Sequence, residues 1–363
     1  MLKFALIGTG RISPNHLAAA KALHAKLHVS AVCDILPDSM EIALHKAKLE
    51  HKVQKYTDYR LMIDDVKPDL VAIATDSGSH AEIGLYCLEK GIHCIIEKPM
   101  AMSIADADKL INAAKSSNCV LAACHQNRFN KSIVKIREAL EQKRFGKISH
   151  IAAHVRWNRG KDYYEQALWR GKWAKDGGCL MNQCIHCADL LRWFIGDVDE
   201  VFAYINNCHH PYMESEDLGL ALIKGKDGNL GLFEGTVNVY PKNLEETLYV
   251  FGEKGTVKAS GISVNVLEEW TFADGIDDSE SVKAKYSESP PNVYGFGHEP
   301  FYKDVIEAIE TGRKPLVDGC QGKQTLEIVL AMYKSKKTGK PVKLPLGEFS
   351  TTDMEGLFCS SSI

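Results

Sequence analysis

The sequence predicts an α/β fold in two parts: an N-terminal doubly wound parallel sheet, then an α+β region with a large, mainly antiparallel open sheet. Three observations carry this. A glycine-rich turn, Gly8-Thr9-Gly10-Arg11-Ile12-Ser13, separates an apolar strand from a helical run. Short apolar runs then alternate with helical patterns as far as residue 124, as parallel strands with crossover helices do. Beyond Asn130 the period becomes that of long strands joined by hairpin turns.

Taken in order, Lys3 to Gly8 is the first strand. Gly8 and Gly10 let the backbone turn tightly and approach a pyrophosphate. Ser13 is expected to cap a helix running from Pro14 to about Lys26, with its N-terminus toward the phosphates. Ser13 also stands where the fingerprint usually has Gly or Ala. The strand His28 to Cys33 ends at Asp34, whose carboxylate suits ribose hydroxyls and would repel a 2′-phosphate, so NAD is favoured over NADP. Helices are predicted at Ser39 to Lys48 and Arg60 to Val66, with a strand from Leu70 to Ala74. The polar turn Thr75-Asp76-Ser77-Gly78-Ser79-His80 opens a helix that Gly91 closes.

The apolar run Ile92 to Ile96 is the next strand, and it runs into Glu97-Lys98-Pro99. Pro99 lacks an N–H and cannot continue a ladder. Glu97 and Lys98 therefore stand at the carboxyl edge, where open parallel sheets hold their ligands. Lys98 is either an ordinary surface charge or a catalytic group facing a cofactor. Ser103 to Asp106 forms a capping-box pattern for a helix to about Ser117, and Val120 to Ala123 closes a first domain of residues 1–124.

Asn130 is expected to cap a helix from Lys131 to Gln142. Strands follow at Ile148 to Trp157, Val201 to Asn206, Leu218 to Lys224, Leu230 to Val239 and Thr247 to Phe251. The sheet they form has helices on one face; its other face is solvated or covered by a second subunit, and a homo-oligomer, dimer or tetramer, is expected through it. After Asp176-Gly177-Gly178 a helix is predicted from Cys179 to Phe194, placing Asn182, His186 and Asp189 on one stripe. A lone helical histidine is more often structural than catalytic, but here an amide and a carboxylate accompany it. Asp189 or Asn182 would fix its tautomer, as a general base needs. Between strand and helix, Arg156 to Tyr164 and Trp169 to Trp173 interleave basic and aromatic residues. This stretch is either a solvated loop with some buried aromatics or a pocket wall for a flat base and an anionic substrate. The second domain is taken as 125–346. The tail, 347–363, has few apolar anchors and is expected to be mobile, with Cys359 to Ile363 frayed.

At 363 residues the chain has room for two domains, and 45% apolar with 25% charged residues is a globular profile. A formal charge of −3 gives no support for a nucleic-acid partner. No apolar run approaches the roughly 18 residues of a membrane span, and the N-terminus lacks a signal-peptide pattern, so a cytoplasmic location is expected. Eleven cysteines in a chain of this kind read as reduced thiols. Cys179, Cys184, His186 and Cys187 lack the second knuckle of a structural zinc site, and no metal is expected.

Gly8-x-Gly10, Asp34, Glu97-Lys98-Pro99, Gly177-Gly178 and His186-x-x-Asp189 together resemble the Gfo/Idh/MocA oxidoreductases over nearly the whole chain. Tyr163-Tyr164, Trp169-Arg170-Gly171, Asn182-Gln183, Glu216-Asp217, Tyr240 to Glu245, Gly252 to Val257 and Tyr294 to His298 look more narrowly like the bacterial UDP-N-acetylglucosaminuronate 3-dehydrogenases. Those enzymes serve surface-polysaccharide (O-antigen, lipopolysaccharide) assembly. The resemblance implies a Rossmann domain, NAD, and oxidation of the sugar's 3-hydroxyl to a ketone that a separate aminotransferase would then aminate. It implies that Lys98 and His186 serve the hydride step. It carries cofactor contacts onto Gly8, Gly10, Arg11, Ile12, Asp34, Thr75, Ser77, His80, Glu97, Lys98, Gln126, Asn127, Trp169 and Arg170. Substrate contacts fall on Lys98, Arg156, Tyr163, Asn182, Gln183, His186, Tyr240 and Tyr294.

Many relatives acting on cyclic polyols have Asp where this chain has Asn182, and an amide cannot act as a carboxylate. A two-residue mechanism therefore fits better than a Lys-Asp-His system. In it His186 is the base and Lys98 polarises the hydroxyl, with the reverse assignment open. Two competing readings remain. One is a dehydrogenase of a free sugar or inositol. The other is a non-catalytic NAD-binding regulator, against which the presence of both Lys98 and His186 argues.

Overall fold

A computed structural model describes residues 1–49 and 53–358. Cys359 to Ile363, expected to fray, lie outside the described residues. The chain forms two units: residues 1–125 with 298–324, and residues 126–297 with those from Thr325 on.

The first unit begins β1 (Leu2–Ile7), α1 (Ser13–Ala22), β2 (Leu27–Cys33), α2 (Pro37–Ala47), β3 (Gln54–Tyr56), α3 (Tyr59–Val66) and β4 (Leu70–Ile73). It continues α4 (His80–Glu89), β5 (His93–Glu97), α5 (Ile104–Ser116) and β6 (Leu121–Cys124). The strands pair in parallel in the order β3-β2-β1-β4-β5-β6, with the switch point between β1 and β4. Phe4 to Ile7, Leu70 to Ile73 and Cys94 to Ile96 are all buried. That is why these strands read as unbroken apolar runs rather than alternations. Ser103 caps α5 as expected, accepting a 3.0 Å bond from Asp106 N–H. Ser13 does not cap α1. Its hydroxyl turns back to donate to the Gly10 carbonyl (2.7 Å), no side chain caps the helix, and α1 stops at Ala22.

The second unit holds α6 (Lys131–Glu141), β7 (Ile148–Arg156), α7 (Lys161–Glu165), α8 (Gly178–Asn182), α9 (Ile185–Ile195), β8 (Val198–Asn206), β9 (Leu218–Gly225) and β10 (Leu230–Thr236). Then come β11 (Glu245–Gly252), β12 (Gly255–Ser260), β13 (Val266–Phe272) and α10 (Ser279–Tyr286). In chain order α11 (His298–Thr311) follows, which belongs to the first unit, and then α12 (Gly319–Thr338) and β14 (Val342–Lys343). The sheet order is β13-β12-β11-β7-β10-β9-β8-β14, antiparallel except for the central β7–β10 pair. Ile151, Ala153 and Val155 of β7 are buried beneath α9. The opposite face exposes Tyr204, Leu220, Leu222, Leu230 and Leu232.

Four expectations change. Residues 298–324, read as part of the second domain, pack with the first unit, where the α11 face of Phe301, Tyr302, Val305 and Ile306 is buried. The predicted helix from Cys179 to Phe194 is two helices. Cys184 N–H reaches back five residues to the Cys179 carbonyl (2.9 Å), so the ladder slips between α8 and α9. Asn182 and His186 therefore do not share a continuous stripe. Asn130 stands at the N-cap of α6 as expected, but its side chain does not bond to the helix; its Nδ2 donates to the Ser263 carbonyl at 2.7 Å. Finally, the tail is anchored as far as it is described. Phe349 and Met354 are buried, and Thr351 Oγ1 donates to the Trp173 carbonyl at 2.7 Å.

Candidate active site

In the first unit the glycine-rich turn is built for a close approach. Gly8 has φ +93°, and a Cβ there would lie 2.4 Å from the Ala74 carbonyl oxygen, so only glycine fits. A Cβ at Gly10 would meet nothing within 4 Å, which leaves open space before the uncapped start of α1. An anion is well served by such a helix N-terminus. Asp34 Oδ2 accepts from Thr9 N–H (2.7 Å) and Thr9 Oγ1 (3.0 Å), while Oδ1 accepts from Leu36 N–H (2.9 Å). The carboxylate thus ties the end of β2 to the turn. These residues fit a dinucleotide with a free ribose diol.

Glu97 ends β5 almost fully buried, and Lys98 after it is half-buried. Glu97 Oε1 lies 3.1 Å from His16 Nε2, and Glu97 Oε2 accepts from Lys98 N–H at 3.1 Å. His16 Nδ1 lies 2.7 Å from Tyr302 Oη. His16 therefore bridges the Glu97 carboxylate and the Tyr302 hydroxyl, one ring nitrogen to each. Burial pushes the Glu97 carboxyl up. The His16 hydrogen bond and the charges of His16 and Lys98 outweigh it, so Glu97 sits well below the usual carboxylate range. His298 packs edge-on against His16 at 5.4 Å between ring centres. Burial, then His16, pushes His298 down to about 3, so its ring is neutral. His80, expected at the cofactor, is buried, with Nδ1 2.8 Å from the Pro99 carbonyl and Nε2 3.2 Å from that of Thr75. Its place is to join the Thr75–Ser79 turn to the segment after Lys98.

In the second unit, Gln126 Nε2 lies 3.5 Å from His186 Nε2, at the limit of a hydrogen bond. With the amide donating, that ring nitrogen is the acceptor, the form a general base needs. Asp189, expected to orient His186, is engaged elsewhere. Its carboxylate accepts from Arg128 Nε (2.7 Å), Arg128 Nη2 (2.6 Å) and Thr325 Oγ1 (2.6 Å), all fully buried. Tyr163 Oη accepts from Gln183 Nε2 (3.0 Å) and from Arg170. The Arg170 guanidinium lies over the Tyr163 ring at 4.1 Å and the Trp169 ring at 4.5 Å. Trp169, Arg170, Gln126 and Asn127, carried over as cofactor contacts, all belong to this unit. Tyr240 is 90% exposed, and Tyr294 is half-buried.

Arg156 is placed differently from its expectation. It donates to Glu234 (2.9 and 2.5 Å) and Glu245 (2.6 Å), and strand alternation puts it on the face of β7 opposite Val155 and α9. Its donors are taken by carboxylates on the open face.

Sequence reasoning did not find His16, Tyr302, His298, Asp176 or Glu216. Three of them had a signal: Glu216 in its motif with Asp217, Asp176 before the glycine pair, and His298 at the end of the run from Tyr294. Glu216 is fully buried at the start of α8, with Oε1 accepting from Leu180 N–H (2.8 Å) and Tyr333 Oη (3.0 Å). Burial raises its carboxyl well above the ordinary range, and these hydrogen bonds only partly offset that.

A dinucleotide turn, an acid closing the second strand and a lysine at a strand's carboxyl end define a nicotinamide-linked oxidoreductase. The chain belongs to the Gfo/Idh/MocA oxidoreductase family: residues 2–125 match its NAD-binding Rossmann fold and residues 137–344 its C-terminal alpha/beta domain. Its cofactor is NAD. Among solved structures, the chain is similar to the WlbA dehydrogenase of Bordetella pertussis in complex with NADH and UDP-GlcNAcA. The two share 33% identity and a TM-score of 0.87, over 95% of this chain and 98% of that one. The WlbA dehydrogenase of Chromobacterium violaceum, with the same two ligands, shares 35% identity and a TM-score of 0.86, over 95% of this chain and 96% of that one. A myo-inositol 2-dehydrogenase from Thermotoga maritima is 26% identical over 94% of this chain and 98% of its own length.

Proposed function

We propose that the protein is an NAD-dependent dehydrogenase that oxidises the 3-hydroxyl of UDP-N-acetylglucosaminuronate to the 3-keto sugar. The observation that carries this reading is the likeness, over 95% of the chain, to two dehydrogenases holding NADH and UDP-GlcNAcA. Asn182, in place of the Asp of many polyol-oxidising relatives, points the same way. NAD, when bound, takes up the hydride from C3. His186 removes the hydroxyl proton through its acceptor nitrogen. The Lys98 ammonium donates to the same oxygen and stabilises the developing alkoxide. Gln126 holds the histidine tautomer, and Glu97 holds the Lys98 backbone. Tyr163, Asn182 and Gln183 line the sugar site, with Trp169 and Arg170 beside them. Tyr240 and Tyr294 remain assigned to the substrate.

A second reading, oxidation of a free polyol, is favoured by the full-length similarity to the inositol dehydrogenase. Initial rates of reduced-nicotinamide formation separate the two. UDP-N-acetylglucosaminuronate should saturate the enzyme while myo-inositol and free N-acetylglucosamine do not. Saturation by myo-inositol alone would replace the first reading by the second.

A further inference from the structure

Asp176 is a fully buried carboxylate with two assigned tasks. Its Oδ2 accepts from Gly171 N–H at 2.7 Å, and its Oδ1 accepts from the Asn182 side-chain amide. Its own N–H donates to the Lys172 carbonyl at 2.8 Å. The next residues, Gly177 and Gly178, have φ of +75° and +90°, and a Cβ on Gly178 would fall 1.7 Å from Glu216 Oε2. The carboxylate is thus held on a segment with little freedom, directly behind the last residue of α8.

An ionised carboxylate only accepts hydrogen bonds, so the amide facing it must present NH₂. The planar amide then turns its carbonyl oxygen away from Asp176. We propose that Asp176 is a positioning residue: it fixes the amide of Asn182 so that the carbonyl oxygen is offered to the substrate, and the site selects a hydroxyl or N–H donor there. This rests on the reading above that Asn182 contacts the sugar. It also gives a physical reason for an amide rather than an acid at this position. A carboxylate beside Asp176 would set two negative charges against each other in a buried place.

The titratable groups facing Asp176 from packed elements are Glu216, at the start of α8, and Tyr164 of α7, with Cys179 and Tyr163 beside them. Burial raises both the Glu216 carboxyl and the Tyr164 hydroxyl.

The test is Asn182→Asp. Protonated, the introduced carboxyl can donate to Asp176 and leave its C=O where the amide oxygen was. Ionised, it cannot. The variant's kcat/KM should stay within about threefold of wild type at acid pH and fall about tenfold or more as the shared proton leaves, a limb absent from wild type. Its melting temperature should fall over the same pH rise, because a raised carboxyl pKa gives stability that is lost as pH increases through it. Asp176→Asn, which lets the amide turn either way, should raise KM about tenfold with a smaller change in kcat. Rates are measured with UDP-N-acetylglucosaminuronate, and with myo-inositol if the wild type does not oxidise the first. A wrong substrate is then read from wild type alone, and a wrong role for Asp176 from the variants. Parallel pH profiles for wild type and Asn182→Asp, or an unchanged KM in Asp176→Asn, would overturn the proposal.

Discussion

Lys98 takes its position from a carboxylate that hardly meets solvent. Glu97 accepts the Lys98 N–H and is itself held by His16 and, through it, Tyr302. The lysine's backbone is therefore fixed at the carboxyl end of the strand. Lys98→Met and His186→Asn should each lower kcat by about 10²–10⁴, with NAD affinity, read by fluorescence titration, near that of wild type. The buried cluster around Glu97 also sets an acid limit. Burial, then His16, pushes His298 below its unfolded value to about 3, with Glu97 opposing. The unfolded chain takes up that proton first, so stability falls as pH drops from about 6.5 toward 3. The lowered Glu97 adds loss in the same direction at the acid end. His298→Gln should flatten the upper part of this slope in pH-dependent melting; an unchanged slope would place the linkage elsewhere. Glu97 and Lys98 were legible in sequence because Pro99 must end the strand. His16 and Tyr302 were not, since they are 286 residues apart and nothing local marks the pairing.

At the scale of elements, the parallel strands and the capped α5 could be read directly, because burial on both faces and local capping leave clear patterns. The break between α8 and α9 could not. Apolar periodicity runs through Gln183 and Cys184, and only the slipped bond from Cys184 to Cys179 shows it. Nor could sequence show that α11 packs with the first unit, since its amphipathic face does not say which sheet it covers. Gly178 has its explanation in Glu216, whose carboxyl fills the space a Cβ would need. Gly178→Ala should cost about 2 kcal/mol or more through backbone strain and a clash with an immobile carboxyl. That is a fall of several degrees in melting temperature; a melt within a degree or so of wild type would refute the packing argument.

At the scale of the molecule, the second unit exposes an apolar patch across neighbouring strands. Leu220 and Leu222 of β9 lie beside Leu230 and Leu232 of β10 and Tyr204 of β8. Patches of this kind mark association surfaces, and we propose a second copy of the chain as the occupant. Sedimentation should find an oligomer at micromolar concentration, and Leu222→Glu should dissociate it; a monomeric wild type would sink the idea.

The most direct test of the whole account follows the hydride. UDP-N-acetylglucosaminuronate carrying deuterium at C3 is incubated with the enzyme and NAD, and the nicotinamide product is weighed by mass spectrometry. The account predicts one deuterium on the reduced cofactor and a 3-keto sugar without it. Reduced cofactor free of deuterium, or no reduction while myo-inositol is turned over, would contradict it.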